Sequence, residues 1–295
     1  MSQYIKHNLR TLLFCVILSC NSQKETSPFA GLHLDKSENQ VFNNIVYGTQ
    51  PEQALDIYLP ANRTATTRVL FYIHGGGWCA GDKNEGLFFK DFFLQKDYAL
   101  ISINYRLTHN QQNNHLAEQL SDVSNAIDLV LRNSDQLSIT NKKTVIMGWS
   151  AGAHLGLLYA YDPNNVGKIK GAIAVATPTD LADPVFMKAL AWPGINGGNL
   201  VTWLLKDTIT VNPVLWKKSS PLYAISNSAP PTFFIHGMMD DLIPPYHASG
   251  AVELLKAKNI PSSLSLVENA GHGLLINNIF EHLDKADSFI RKNVP

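Results

Sequence analysis

The stretch Gly148-Trp149-Ser150-Ala151-Gly152 follows the apolar run Thr144-Val145-Ile146-Met147 and opens into Ala153-His154-Leu155-Gly156-Leu157-Leu158. A β-branched run that ends in Gly-x-Ser-x-Gly and continues as a helical pattern predicts a nucleophile elbow. The chain turns there so sharply from strand to helix that the serine takes strained dihedrals, and the flanking glycines leave room for the turn. Such a turn lifts Ser150 Oγ clear of the sheet. It also sets the Ala151 N–H at a helix N-terminus, where unpaired amides and the helix dipole favour a developing negative charge. Chemistry at Ser150 then requires a base, an acid and further oxyanion donors from elsewhere in the chain.

Donors come from the amino-terminal side. His74-Gly75-Gly76-Gly77-Trp78 follows directly on the buried-type run Arg68-Val69-Leu70-Phe71-Tyr72-Ile73. Glycines strung after a strand let backbone N–H groups turn inward without a Cβ clash. Gly76 and Gly77 are therefore the candidate oxyanion donors beside Ala151.

The base and acid come from the carboxyl-terminal side. Asn269-Ala270-Gly271-His272-Gly273 follows the last predicted strand, and its glycines allow a loop that carries the His272 imidazole over Ser150. An imidazole, with an ordinary pKa near ~6.5, takes a serine proton at neutral pH. Before it, Phe233-Phe234-Ile235-His236-Gly237-Met238-Met239-Asp240-Asp241-Leu242-Ile243-Pro244 offers two adjacent carboxylates, of which only one can aim at the imidazole. Of the other histidines, His154 reads as a packed or hydrogen-bonded side chain and His236 as structural. His109, His115, His247 and His282 read as solvated.

Around these motifs, strands alternate with helices. Asn43 to Tyr47 and Leu55 to Leu59 read as antiparallel-type strands; Arg68 to Ile73, Tyr98 to Asn104, Ala172 to Ala176, Phe233 to Ile235 and Leu264 to Val267 join the elbow strand. Helical periods run over 84–95, 115–132, 246–257 and 274–291. Alternation of this kind predicts βαβ units and an α/β fold with a mostly parallel central sheet flanked by helices. Between Asp183 and Ser220 the rhythm breaks into prolines, the Gly194 to Gly198 run, and Trp192, Trp203 and Trp216. That interval predicts a small lid of short helices over the sheet, because tryptophans in a loop-rich stretch need an apolar surface to cover.

A chain of 295 residues, 45% hydrophobic, buries a substantial core. Lys+Arg and Asp+Glu both number 24, which gives no footprint for nucleic acid. Lys6, His7 and Arg10 precede the apolar run Leu12 to Leu18, so residues 1–19 read as an export signal. Ile17-Leu18-Ser19-Cys20 resembles the bacterial lipobox, with Cys20 as the lipidated residue. Residues 20–36 then form a tether and 37–295 the folded domain. The reading implies a periplasmic or outer-membrane-anchored lipoprotein. Cys79 is left as the lone thiol of the domain, and no Cys pair or His-x-x-x-His spacing predicts a metal site.

Taken in order, these motifs resemble the α/β-hydrolase fold, in the carboxylesterase branch related to hormone-sensitive lipase, bacterial feruloyl esterases and kynurenine formamidase. Gly81-Asp82-Lys83, Asn104-Tyr105-Arg106-Leu107 and Ser220-Pro221-Leu222 add to the likeness, which runs from about Leu55 to the C-terminus. The family's acid lies in a His-Gly-x-x-Asp-x-x-Val/Ile-Pro pattern, which assigns Asp240 over Asp241. The resemblance also makes Tyr105 and Arg106 supports of the oxyanion loop, with an acyl-pocket contact as the alternative. It implies an exported serine hydrolase of carboxylic esters that needs no cofactor, with a small-molecule or glycan-linked substrate. Acetyl or feruloyl esters are expected, in preference to acyl chains beyond about eight carbons, since no amphipathic interfacial helix is evident. Two alternatives are an arylformamidase-type amide hydrolase and a non-catalytic binding lipoprotein. One departure is Ala176-Thr177-Pro178-Thr179-Asp180-Leu181, where relatives often carry Ser-Gly.

Overall fold

A computed structural model describes residues 28–108, 114–190, 200–274 and 279–295. The export signal, Cys20, His109, Trp192 and the Gly194 to Gly198 run lie outside the described residues. Strands are β1 (Gln40–Val46), β2 (Ala54–Leu59), β3 (Arg68–Ile73), β4 (Tyr98–Ile103), β5 (Thr144–Trp149), β6 (Gly171–Val175), β7 (Thr232–Gly237) and β8 (Ser262–Val267). They form one sheet in the order β1-β2-β4-β3-β5-β6-β7-β8. β2 runs antiparallel to its neighbours β1 and β4, and every pair from β4 through to β8 is parallel. This is the expected α/β-hydrolase architecture.

Helices α1 (Leu87–Gln95), α2 (Leu116–Arg132), α3 (Ser134–Leu137), α4 (Ala151–Tyr161), α5 (Pro184–Ala189), α6 (Leu200–Leu205), α7 (Pro213–Lys218), α8 (Pro221–Ala224), α9 (Tyr246–Ala257) and α10 (Ile279–Asn293) cover both faces of the sheet or cap its end. In β3, Val69, Phe71 and Ile73 join the core that includes α2, α4 and α9, while Leu70 and Tyr72 join the one that includes α1 and α10. A strand covered on both faces is apolar on both, which is why β3 shows no period of two from Val69 to Ile73. At the edge, β1 alternates half-buried with exposed residues over most of its length.

The packed chain begins earlier than the sequence reading placed it. Phe29 is fully buried in the core, and its carbonyl accepts a hydrogen bond from Gln136 Nε2. Leu32 and Leu34 pack against the same core. The tether of 20–36 is therefore corrected at its carboxyl end: two or three apolar residues in a polar stretch suffice to dock it, each contributing about 1.5–3 kcal/mol when fully buried.

Parallel strands all end on the same edge of the sheet. The segments leaving β3, β5, β6, β7 and β8 carry Gly75 to Trp78, Ser150, Pro178, Asp240 and His272 respectively. Ser150 and His272, 122 positions apart in sequence, thus meet at one sheet end, the usual place for a site in an open α/β sheet.

Candidate active site

At the elbow, Ser150 has φ 51° and ψ −117°, a left-handed conformation that costs a non-glycine residue on the order of 1–3 kcal/mol. The surroundings hold it there. Ser150 N–H donates to Val175 O on β6 at 2.8 Å, and Ser150 O accepts the first helical bond, from His154 N at 3.0 Å. A Cβ on Gly148 would run into the backbone of Gly152 and Ala153, and one on Gly152 would run into the Ile73 and His74 carbonyls. Both glycines of the motif are therefore dictated by close approach. α4 is buried at all eleven positions, so it runs through the core and its N-terminus has a fixed direction.

His272 Nε2 lies 3.0 Å from Ser150 Oγ, and His272 Nδ1 lies 2.9 Å from Asp240 Oδ2. With Nδ1–H donating to the carboxylate, Nε2 is the bare nitrogen that accepts the serine hydroxyl. Asp240 is 4% exposed, whereas Asp241 is exposed to solvent. Burial alone raises the Asp240 pKa, but hydrogen bonds from His236, His272 and the Ile243 N–H outweigh it and hold the carboxyl well below the usual range. Its charge is then present throughout the neutral range.

Beside the serine, Gly76 (φ +98°) and Gly77 (φ +58°) turn the loop after β3 into the left-handed region. A Cβ at Gly76 would strike the Ala80 carbonyl. The N–H groups of Gly76, Gly77 and Ala151 donate to no acceptor among the described residues. Tyr105 supports this loop: its hydroxyl donates to the carbonyls of His74 and Gly75, both at 3.2 Å, and its ring stacks on His74 at 4.3 Å. Arg106 acts one step further out, in a two-pronged contact with the fully buried Asp122 (2.8 and 2.7 Å).

Trp78 closes the loop from behind. Its indole Nε1–H donates to His154 Nδ1 at 3.2 Å, and His154 Nε2–H donates to Ser219 O at 2.8 Å. Burial lowers the His154 pKa to about 4, so it stays neutral and ties α4 to both the glycine loop after β3 and the segment after α7.

A cavity of about 790 Å³ opens onto Ser150 and His272. Its lining holds an aromatic cluster (Tyr72, Phe88, Phe89 and Trp149), together with Pro178, Phe186, Leu190, Leu200, Leu242 and Ile243. α5 and the start of α6, inside the expected lid, supply the Phe186, Leu190 and Leu200 part of that lining. The segment after β6 that departs from the family pattern, Ala176 to Leu181, supplies Pro178. Glu85 and Cys79 also reach the cavity. Of the lid tryptophans, Trp216 is buried and Trp203 half-buried. No described cluster of three His, Cys, Asp or Glu side chains is placed to hold a metal ion.

Three histidines depart from the sequence reading. His247 is 3% exposed, and its Nδ1 accepts the N–H groups of Thr179 (3.2 Å) and Asp180 (3.3 Å), which fixes the segment around Pro178. His282 is buried against Ser265 Oγ at 2.7 Å. His115 is half-buried, caps α2 and bonds Trp203 O at 3.0 Å. Helical periodicity marks apolar faces and is silent on a histidine whose partner lies on another element.

Comparison with known proteins adds relatives to this geometry. The chain is 25% identical over 254 residues to a probable isoprenylcysteine alpha-carbonyl methylesterase of Oryza sativa subsp. japonica, covering 79% of this chain and 57% of that protein. It is 27% identical over 248 residues to the esterase LipC of Mycobacterium tuberculosis, covering 78% and 59%. It thus spans somewhat under three fifths of the length of these curated relatives. Among solved structures, a truncated carbohydrate esterase from gut microbiota superposes with a TM-score of 0.74 at 19% identity, over 88% of this chain and 98% of that one. Thermogutta terrifontis esterase 2, phosphoramylated by tabun, gives 0.69 at 21% identity, over 88% and 96%. The profile of the BD-FAE family matches residues 55–255, an interval that runs from β2 to α9 and contains the elbow, the glycine loop and Asp240. The chain belongs to the BD-FAE family.

Proposed function

We propose that this protein hydrolyses carboxylic esters through an acyl-enzyme on Ser150. The observation that carries the reading is the continuous relay from Asp240 through His272 to Ser150, set beside N–H groups that have no acceptor among the described residues, at an apolar cavity. Ser150 Oγ attacks the ester carbonyl while His272 Nε2 takes its proton. The N–H groups of Gly76, Gly77 and Ala151 receive the oxyanion, a contribution worth ~100- to 1000-fold per donor. His272 returns the proton to the leaving alkoxide, then activates water against the acyl-enzyme. Related proteins named as esterases support this reading.

Of the acetyl and feruloyl groups expected from the resemblance, the cavity favours an aromatic acyl of hydroxycinnamoyl size. An acetyl group leaves most of about 790 Å³ unused, and the cluster of Tyr72, Phe88, Phe89 and Trp149 is built to pack a ring. A ring buried there contributes about 1.5–3 kcal/mol, or roughly 10- to 100-fold in kcat/KM where the transition state keeps the contact. The purified protein should therefore turn over methyl dihydroferulate at least about tenfold faster in kcat/KM than methyl acetate, two esters with equally unconjugated carbonyls. Methyl acetate matching it would remove the aromatic assignment. An N-formyl aryl amine outpacing both would move the reading to amide hydrolysis, the direction in which kynurenine formamidase of Danio rerio, 27% identical over 158 residues, points.

We further propose that the protein is exported and carries a lipid anchor at Cys20, a reading supported by the apolar run Leu12 to Leu18 and by Ile17-Leu18-Ser19-Cys20. Expressed in a bacterium fed labelled palmitate, the wild type should take up label and fractionate with membranes, and Cys20→Ser should do neither. A wild type without label would leave an ordinary cleaved signal in place of the anchor.

A further inference from the structure

Asp240 receives three hydrogen bonds, two at Oδ1 and one at Oδ2, and a further nitrogen stands beside Oδ2. Oδ1 accepts the N–H groups of Leu242 (3.1 Å) and Ile243 (2.8 Å) from its own loop. Oδ2 accepts His272 Nδ1–H at 2.9 Å and is approached by a second imidazole, His236 Nε2, at 3.2 Å. His236 is fully buried at the end of β7, and the same Nε2–H lies 2.8 Å from Ile243 O. Its other ring nitrogen, Nδ1, is buried without a partner among the described residues. A neutral imidazole has one N–H, and Nε2 faces two acceptors, so the proton sits on Nε2. The Asp240 loop is thereby gripped twice at Ile243, by its N–H from Asp240 and by its carbonyl from His236. Ile243 itself lines the cavity.

We propose that His236 is a positioning residue for the reaction: its shared Nε2–H fixes the rotation of the Asp240 carboxylate so that Oδ2 faces His272. This rests on the serine-hydrolase reading above. Without the second donor, Oδ2 is anchored only by the imidazole it is meant to orient. The two N–H groups at Oδ1 then act as a pivot about which Oδ2 can swing, and His272 loses part of its fixed aim at Ser150. Bond strength alone would let the Ile243 carbonyl account for His236 as a loop clasp. What separates the two roles is the step affected: a clasp supports the fold and the cavity wall, whereas a carboxylate anchor supports proton transfer.

Two side chains of nearly equal length isolate the donor. His236→Gln keeps an N–H near the Nε2 position, and His236→Met has none. Rates are taken per serine titrated with a fluorophosphonate, which removes unfolded chains from the comparison; His236→Leu replaces the Met chain should that yield no titratable serine. His236→Met should lose about 10- to 100-fold in kcat with KM within about twofold of wild type, the range of one charge-assisted hydrogen bond. His236→Gln should recover to within about fivefold of wild type. Equal kcat in the Gln and apolar variants overturns the proposal, as does a loss expressed in KM alone. Ser150→Ala is run beside them: if it keeps ester turnover, the serine reading itself fails, and if it is inactive while Gln and Met behave alike, only the role of His236 falls.

Discussion

Ser150→Ala is expected to lower ester turnover by ~10⁴-fold or more and to leave the melting temperature nearly unchanged. The rate loss follows from the relay: without Oγ, His272 Nε2 has no proton to take and no acyl-enzyme forms. The folded state should tolerate the change because Ser150 is half-buried and its hydroxyl bonds only His272 among the described residues. Alanine also meets the same backbone demand at φ 51°, so the strain of the elbow is neither relieved nor increased. A fluorophosphonate probe should label the wild type and not the variant, which also decides against a binding protein that merely keeps the fold. Retention of more than about a tenth of the wild-type rate would take Ser150 out of the mechanism.

How much of this was legible in the sequence depends on how local each requirement is. The elbow is local: Gly148 and Gly152 are fixed by backbone atoms within a turn or on the adjacent strand, so five consecutive residues announce it. Strand β3 was legible because burial on both faces leaves an unbroken apolar run. The cavity was not legible. Its wall draws Phe88 and Phe89 from α1, Pro178 from the segment after β6, Leu190 from the end of α5 and Ile243 from the Asp240 loop. No period in the chain reports which of these distant segments share a face. His247 was missed for the same reason, since its partners are backbone N–H groups some 68 residues away. A histidine at a strand end reads as structural; nothing in the sequence says that its Nε2 also stands 3.2 Å from the carboxylate four residues on. The order of β7, Asp240, β8 and His272 was recoverable because crossovers in a parallel sheet bring strand ends to one side.

Asp240→Asn is expected to cost on the order of 10³- to 10⁴-fold in kcat, and Asp241→Asn under about tenfold. The two carboxylates are adjacent in sequence, yet only Asp240 is buried and bonded to His272. A side-chain amide in place of the Asp240 carboxylate has no harmless orientation. Both oxygen positions are met by donors, the Leu242 and Ile243 N–H groups at one and the His272 N–H at the other, where His236 Nε2 also stands 3.2 Å away. Whichever way the amide turned, its NH2 would face a donor. Facing the Leu242 and Ile243 N–H groups, it would break the loop's own turn. Facing the two imidazoles, it is relieved only if His272 moves its proton to Nε2, and that tautomer presents a donor to Ser150 where the reaction needs an acceptor. The negative charge that balances the imidazolium is lost as well. Asp241 is exposed, so an amide there meets water in place of these donors. Both variants are assayed for kcat on the same ester, with thermal melts to show that each is folded. Should Asp241→Asn be the crippled one, the acid moves one residue along the chain and the hydrogen bonds around Asp240 become those of a structural turn.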